Sequence, residues 1–132
     1  MAHSLSNDLE TKLINATLRN LAYTSPVTVY VALFTADPGE AGAGAEVTGG
    51  SYARKPVVFS APVDGEASSS ADVVWTNMPA GTVTHLAVFD ALTLGNSMYY
   101  GPLGTETTPT PKVVNAGDTF TIPSTGLKVK LT

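Results

Sequence analysis

Hydrophobic and polar positions divide the chain into one helical segment followed by a series of β-strands. Apolar residues recur at helical spacing near the N-terminus, which predicts an amphipathic helix over 7–22. The residues of this apolar stripe are Leu9, Leu13, Ile14, Leu18 and Leu21. Asn7 is the predicted N-cap, and the Pro26 ring ends the helical region because it disfavours helical geometry at the preceding residue. The stripe is expected to pack on the protein's own sheet; the alternative is docking on a neighbouring subunit.

The segment 27–34 is the strongest strand signal of the chain. It consists of Val27-Thr-Val-Tyr-Val-Ala-Leu-Phe34, so it is apolar on both faces and both faces must be covered. Strand signals separated by turn residues continue to the C-terminus, which predicts an antiparallel β-sandwich, jelly-roll or immunoglobulin-like, over 27–132. Pro56 indicates that its strand lies at an edge or a bulge. The other predicted strands are 53–59, 72–76, 83–90, 97–101, 119–122 and 127–131.

The length of 132 residues predicts a single domain, 1–132, in which residues 1–6 form an N-terminal arm before the helix. Two stretches, 64–71 and 104–111, are polar or rich in proline and threonine and are predicted to be loops. The chain contains no cysteine, which excludes disulfides, thiolate metal sites and cysteine nucleophiles.

The charge distribution limits the partners that the chain can have. The net charge is -4 and the seven basic residues are scattered, which argues against nucleic acid. No apolar run approaches the roughly 20 residues of a membrane span, and the N-terminus lacks the pattern of a secretion signal, so we expect no membrane and a cytoplasmic origin. Charged residues make up only 14% of the chain, which favours extensive contacts with other proteins.

Few side chains of the sequence could catalyse a reaction or bind a ligand, and their spacing matches no known catalytic or metal-binding motif. His85 lies on an apolar strand, where a structural role is expected, and the glycines of 42–50 lack the lysine and following helix of a phosphate-binding loop. The spacing of Asp37, Glu40 and Glu46 matches no dedicated calcium loop. We therefore predict no enzyme, no cofactor, no metal and no small-molecule substrate.

Three aromatic residues leave one binding function open. Trp75, Tyr99 and Tyr100 could form a platform on which sugars stack, which would make the protein a carbohydrate-binding module. A sole tryptophan on a strand is more often part of the core, so this hypothesis ranks below the structural ones.

Four segments carry a resemblance to a known family. They are Val29-Tyr-Val-Ala-Leu-Phe-Thr-Ala-Asp-Pro-Gly39, the stretch 42–54 ending in Gly-Gly-Ser-Tyr-Ala-Arg54, Gly81-Thr-Val-Thr-His-Leu-Ala-Val-Phe-Asp90 and Val114-Asn-Ala-Gly-Asp-Thr-Phe-Thr-Ile122. Together they resemble small structural proteins of tailed bacteriophages, which are often labelled tail-fibre proteins and include head cement (decoration) proteins. The segment 102–113 is longer and richer in proline and threonine than the pattern expected for this family.

The resemblance implies a non-enzymatic virion protein. The leading hypothesis is a capsid cement protein on the capsid surface that binds and stabilises the assembled phage head, and that is assembled in the bacterial host cytoplasm. Its expected partners are the major capsid protein and copies of itself, as a homotrimer around local threefold axes. The alternative is a tail, adaptor or fibre component.

Exposure and composition point to three contact segments: the arm before Asn7, the loop 38–50 and the connection 102–111. The residues predicted to contact partner proteins are His3, Leu5, Pro38, Glu40, Glu46, Tyr52, Arg54, Pro109 and Pro111.

Overall fold

The computed structural model describes residues 4–131, which form one helix and antiparallel β-strands. This confirms the predicted mainly-β class, with a β-sandwich-like fold and an N-terminal helix. The elements are β1 (Ser4–Leu5), α1 (Asn7–Leu18), β2 (Val29–Phe34), β3 (Lys55–Val57), β4 (Glu66–Ser68), β5 (Val73–Trp75), β6 (Gly81–Val83), β7 (His85–Phe89), β8 (Ser97–Pro102), β9 (Lys112–Val114), β10 (Phe120–Ile122) and β11 (Lys128–Lys130).

The largest sheet has five strands in the order β1-β8-β7-β2-β3. β3 lies at one edge, as Pro56 predicts, because proline has no N–H to donate to a further strand. β1 forms the other edge, where Leu5 is opposite Tyr99, so part of the predicted N-terminal arm is a strand. The other strands pair as β10 with β5, β11 with β4, and β6 with β9.

Both faces of the five-stranded sheet are covered, as the apolar character of β2 predicts. A large cluster joins one face of the sheet to strands of the β10–β5 and β6–β9 pairs. Its buried members are Val31, Leu33, Val47, Val57, Val73, Trp75, Met78, Val83, Leu86, Leu103, Val114, Phe120, Ile122 and Leu127. A smaller cluster on the opposite face contains Ala32, Phe34, Ala87 and Phe89, with Tyr100 packed against it. The alternation of β2 residues between these clusters follows from the two-residue period of a strand.

The helix differs from the prediction at both ends. Its N-cap is Ser6 and not Asn7, because the Ser6 hydroxyl accepts the N–H of Leu9 at 3.2 Å and donates to the carbonyl of Ser97 on β8. The backbone N–H of Ser6 also donates to Met98, so pairing with β8 selects the capping residue. The helix ends at Leu18 rather than at 22, since Asn20 has a left-handed φ of 55° that a continuing helix excludes.

The apolar stripe of the helix is buried only in its first turn. Leu9 is 2% exposed and α1 contacts β8, but Ile14 is 54% exposed, Leu18 80% and Leu21 47%. The stripe therefore packs on the protein's own sheet at Leu9, and Leu13 is half-buried, but the prediction is wrong for Ile14, Leu18 and Leu21.

The two predicted loops contain more structure than their composition suggests. Residues 64–71 include β4, which pairs antiparallel with β11 so that Glu66 lies opposite Lys130. The connection 104–111 begins with a turn in which Thr105 and Thr108 exchange backbone hydrogen bonds at 3.2 Å, and it leads into β9.

Candidate contact site around Arg54 and Leu94

Three of the predicted contact residues meet in a hydrogen-bonded cluster of Glu46, Tyr52 and Arg54, here called the Arg54 cluster. Arg54 donates from Nε to Oε2 of Glu46 and from Nη2 to Oε1, both at 3.0 Å. This bidentate geometry is the strongest form of an arginine–carboxylate pair. Tyr52 donates its hydroxyl to Oε2 of Glu46 at 2.8 Å and accepts the N–H of Leu33 at 3.0 Å. The cluster thus connects the loop 38–50 to β2.

Arg54 also binds a second loop, residues 90–96, here called the Leu94 loop. Its Nη1 donates to the carbonyl of Ala91 at 3.0 Å and to that of Leu94 at 2.7 Å. The guanidinium carbon lies 3.7 Å from the centroid of the Phe89 ring, within the range of a cation–π contact. Only 9% of the Arg54 side chain is exposed. Arg54 is therefore a buried residue that connects two loops through hydrogen bonds.

The phenol of Tyr52 stays protonated in this setting. Burial raises the pKa of Tyr52 well above its ordinary value, and the hydrogen bond to Glu46 raises it further. A neutral phenol can donate to Glu46 while it accepts from the backbone of Leu33, which is the arrangement observed. The cluster is therefore arranged for structural hydrogen bonding.

The Leu94 loop is closed by Asp90 and Asn96. Oδ1 of Asp90 accepts the N–H of Asn96 at 2.7 Å, and the N–H of Asp90 donates to the carbonyl of Asn96 at 3.1 Å. Leu94 has a φ of 55° and Gly95 a φ of 71°. A Cβ at Gly95 would lie 2.5 Å from Oδ1 of Asp90, so this tight turn requires glycine there.

Leu94 stands at the tip of this loop beside an open groove. It is 86% exposed and Leu92 is 49% exposed. The groove has a volume of about 570 Å³ and is lined by residues of 46–49, 52–54 and 92–94. The sequence analysis named no contact residue in this loop and so missed Leu94; the signal available was a large apolar residue directly before Gly95.

The other predicted contact residues lie apart from the Arg54 cluster. Leu5 is half-buried in β1, Pro38 is buried, and Glu40 is exposed and accepts the N–H of Asn7 through its backbone carbonyl at 3.0 Å. Pro109 and Pro111 are exposed. His3 lies outside the described residues. For all nine residues, contact with partner proteins stays a prediction.

The aromatic platform proposed for sugar binding is wrong. Trp75 is 1% exposed, donates from Nε1 to the carbonyl of Ala53 at 2.8 Å, and packs edge-on against Phe120. Tyr99 packs against the large core cluster and Tyr100 against the smaller one on the opposite face, because successive residues of a strand alternate in direction. The three rings therefore form no common exposed platform on which a sugar could stack.

Residues 4–131 offer neither a cluster of metal ligands nor a membrane-spanning helix. Among them there is no group of three or more histidine, aspartate or glutamate residues that could hold a metal ion. Within the same range no helix is long and apolar enough to cross a membrane.

Comparison with known proteins identifies the family. No curated protein matches the sequence. The family model described as podophage GP4 fiber I protein gp80 matches residues 4–130. Because this match extends over almost the whole chain, the protein belongs to the gp80 fiber I family, a family of tailed-phage structural proteins.

Proposed function

We propose that the protein is a non-enzymatic structural subunit of a fibre on a phage virion and that it acts through protein–protein contacts. The observation that carries this proposal is the family match over residues 4–130, whose description names a fiber protein. A structural role in the virion follows from membership of this family.

The distribution of charge supports a contact function. Arg54 pairs with Glu46, Lys12 with Asp8 at 2.8 Å, and Lys128 with Glu66 at 3.6 Å, so these cations have partners within the chain. Charged residues also make up only 14% of the chain, so burying its surface against another protein desolvates few charges.

Capsid cement is the second candidate. In this role the protein would bind the major capsid protein on the surface of the assembled head, as a homotrimer around local threefold axes. Binding only to the assembled lattice would stabilise that lattice by mass action, and many copies would add to the effect. The low charge and the exposed stretches 43–45, 48–50 and 105–111 suit this role as well.

Stoichiometry in purified particles tests both candidates. Quantitative mass spectrometry against the major capsid protein gives the copies per particle, and sedimentation of the isolated protein gives its oligomeric state. A copy number matching the symmetry of the tail supports the fibre subunit, whereas one matching the capsid lattice supports cement. Absence from purified particles would contradict both. Particles that lack the protein should lose heat resistance only if it is cement.

A further inference from the structure

A cleft of about 250 Å³ lies where the N-terminus of α1 meets the loop 38–50 and the end of the Leu94 loop, and it is here called the Ser97 cleft. Its lining includes Asn7, Asp8, Glu40, Gly42, Asn96 and Ser97. The N–H of Asn7 donates to the carbonyl of Glu40 at 3.0 Å, and the N–H of Ser6 donates to the carbonyl of Met98 at 2.9 Å. The walls of the cleft are therefore joined to one another by backbone hydrogen bonds.

The Ser97 hydroxyl is a buried polar group that the chain leaves without a partner. Ser97 is 4% exposed, and its Oγ forms no hydrogen bond with any residue of 4–131. The Ser6 hydroxyl does not serve it, because Ser6 donates to the Ser97 carbonyl and accepts from Leu9. Gly42 faces Ser97 without a side chain, and a Cβ there would lie 2.8 Å from Ser97 Cβ and 3.7 Å from Oγ. A buried hydroxyl in this condition points to a ligand or a bound water.

The charges in and beside the Ser97 cleft are mostly negative. Glu40 forms no ion pair within residues 4–131, whereas Asp8 pairs with Lys12 at 2.8 Å. The hydrogen bond to Asp8 raises the pKa of Lys12, and the nearby carboxylate of Asp90 contributes to the rise. One lysine thus faces three carboxylates. The helix N-terminus, with about half a positive charge, offsets only part of this excess.

These groups select a positively charged ligand that carries hydrogen-bond donors. A phosphate or another anion would meet the excess of negative charge, although helix N-termini favour anions in general. A bare metal ion would lack ligands, because residues 4–131 contain no group of three histidine, aspartate or glutamate side chains placed to hold one. Asn96 uses its Nδ2 on Asp90 at 3.4 Å, so its Oδ1 is available as an acceptor. A primary ammonium group has three N–H donors, which match Asn96 Oδ1, the Glu40 carboxylate and Ser97 Oγ.

We propose that the Ser97 cleft binds a primary ammonium group, carried by a lysine side chain of another protein or by a free alkylamine. The ammonium donates to Ser97 Oγ and to the carboxylate of Glu40, and its methylene chain lies against Ala41 and the edge of Phe89, which also line the cleft. The volume of about 250 Å³ exceeds the roughly 30 Å³ of one water and has room for a butyl chain. This site does not depend on the proposed function, because it concerns the isolated protein.

Titration of the ¹⁵N-labelled protein with n-butylamine at neutral pH, followed by NMR, tests the site. The amide signals of Gly42, Asn96 and Ser97 should shift and saturate with a Kd of about 1–10 mM. Two matched controls are n-butanol, which lacks the charge, and tetramethylammonium, which lacks N–H donors; neither should saturate over the same range, and calcium chloride should not compete. A capped tripeptide with a central lysine distinguishes the sources. Binding as tight as that of butylamine indicates a protein lysine, and binding of butylamine alone indicates a free amine.

Variants separate contact with the ligand from general attraction by negative charge. Glu40→Gln should weaken butylamine binding about tenfold and Ser97→Ala about threefold, because each removes a hydrogen bond and the first also removes a charge. Glu10→Gln removes an exposed carboxylate of the same helical turn that does not line the cleft, and it should leave Kd within about twofold. In the free protein, Ser97→Ala should leave Tm unchanged or raise it, because Oγ has no partner to lose.

Several outcomes would overturn the ammonium site. Butylamine could give no saturable shifts, or butanol or calcium could saturate the same signals as tightly. Equal weakening by Glu10→Gln and Glu40→Gln would mean that butylamine responds only to the overall negative charge. A lower Tm for Ser97→Ala would show that the hydroxyl has a structural partner, and an unchanged Kd would leave water as its only ligand. None of these results bears on the virion role, which the copy number in particles decides separately.

Discussion

Replacing Arg54 with alanine should destabilise the protein more than any surface substitution of a charged residue. The change removes the bidentate bonds to Glu46 at 3.0 Å, the bonds to the carbonyls of Ala91 and Leu94, and the stacking of the guanidinium on Phe89. These contacts join two loops that are far apart in the sequence, so the substitution releases both loops.

The expected loss of unfolding free energy depends on how deeply the Arg54–Glu46 ion pair is buried. Removing one partner of a buried ion pair costs about 3–5 kcal/mol. The Glu46 side chain is 26% exposed, however, so water can solvate its carboxylate once Arg54 is gone, and the expected loss is about 2–4 kcal/mol. For a chain of 132 residues this corresponds to a drop in Tm of roughly 8–15 °C.

Urea unfolding followed by circular dichroism measures this loss as a change in midpoint at constant m-value. Arg54→Lys keeps the charge but not the two-pronged geometry, so it should lose about half as much stability as Arg54→Ala. Lys12→Ala breaks an ion pair in which both side chains are more than a third exposed and serves as the surface control, with a loss under about 0.5 kcal/mol. A loss for Arg54→Ala no larger than that of the control would refute the reasoning.

Three further predictions concern the core and the tyrosine. Leu9→Ala should cost about 2–5 kcal/mol in unfolding free energy, whereas Leu18→Ala should stay within about 0.5 kcal/mol, because only Leu9 is buried. Trp75 should emit at short wavelength and resist quenching by iodide until the protein unfolds; ready quenching of the native protein would place it at the surface. The raised pKa of Tyr52 means that its contribution to stability is present below pH ~10 and is lost as the pH rises further. Unfolding free energies at pH 8–11 should therefore decline less steeply for Tyr52→Phe than for wild type.

The sequence was most informative where one physical requirement decides the structure. The apolar faces of β2 had to be covered on both sides, and Val31 and Ala32 are indeed buried in different clusters. Pro56 lies on an edge strand because it cannot donate a ladder hydrogen bond. Both results depend on local pattern alone, and no knowledge of distant residues was needed.

Features that depend on distant partners could not be predicted in the same way. Ser6 is the helix cap because it pairs with β8, which is more than 90 residues away in sequence. Arg54 was predicted as a contact residue, but its hydrogen bonds to Ala91 and Leu94 exist only once the strands have brought the two loops together. The left-handed φ of Leu94 likewise follows from closure of its loop and leaves no clear trace in the sequence.

Arg54 and Leu94 together allow the tertiary hydrogen bonds of the Leu94 loop to be separated from its backbone strain. Arg54 donates to the carbonyl of Leu94 at 2.7 Å, so losing Arg54 should weaken the fold. Losing the Leu94 side chain leaves that hydrogen bond possible and relieves the left-handed φ of 55° at this position. Arg54→Ala should therefore lower Tm, whereas Leu94→Gly should leave Tm unchanged or raise it. A lower Tm for Leu94→Gly would mean that the exposed leucine side chain itself stabilises the turn.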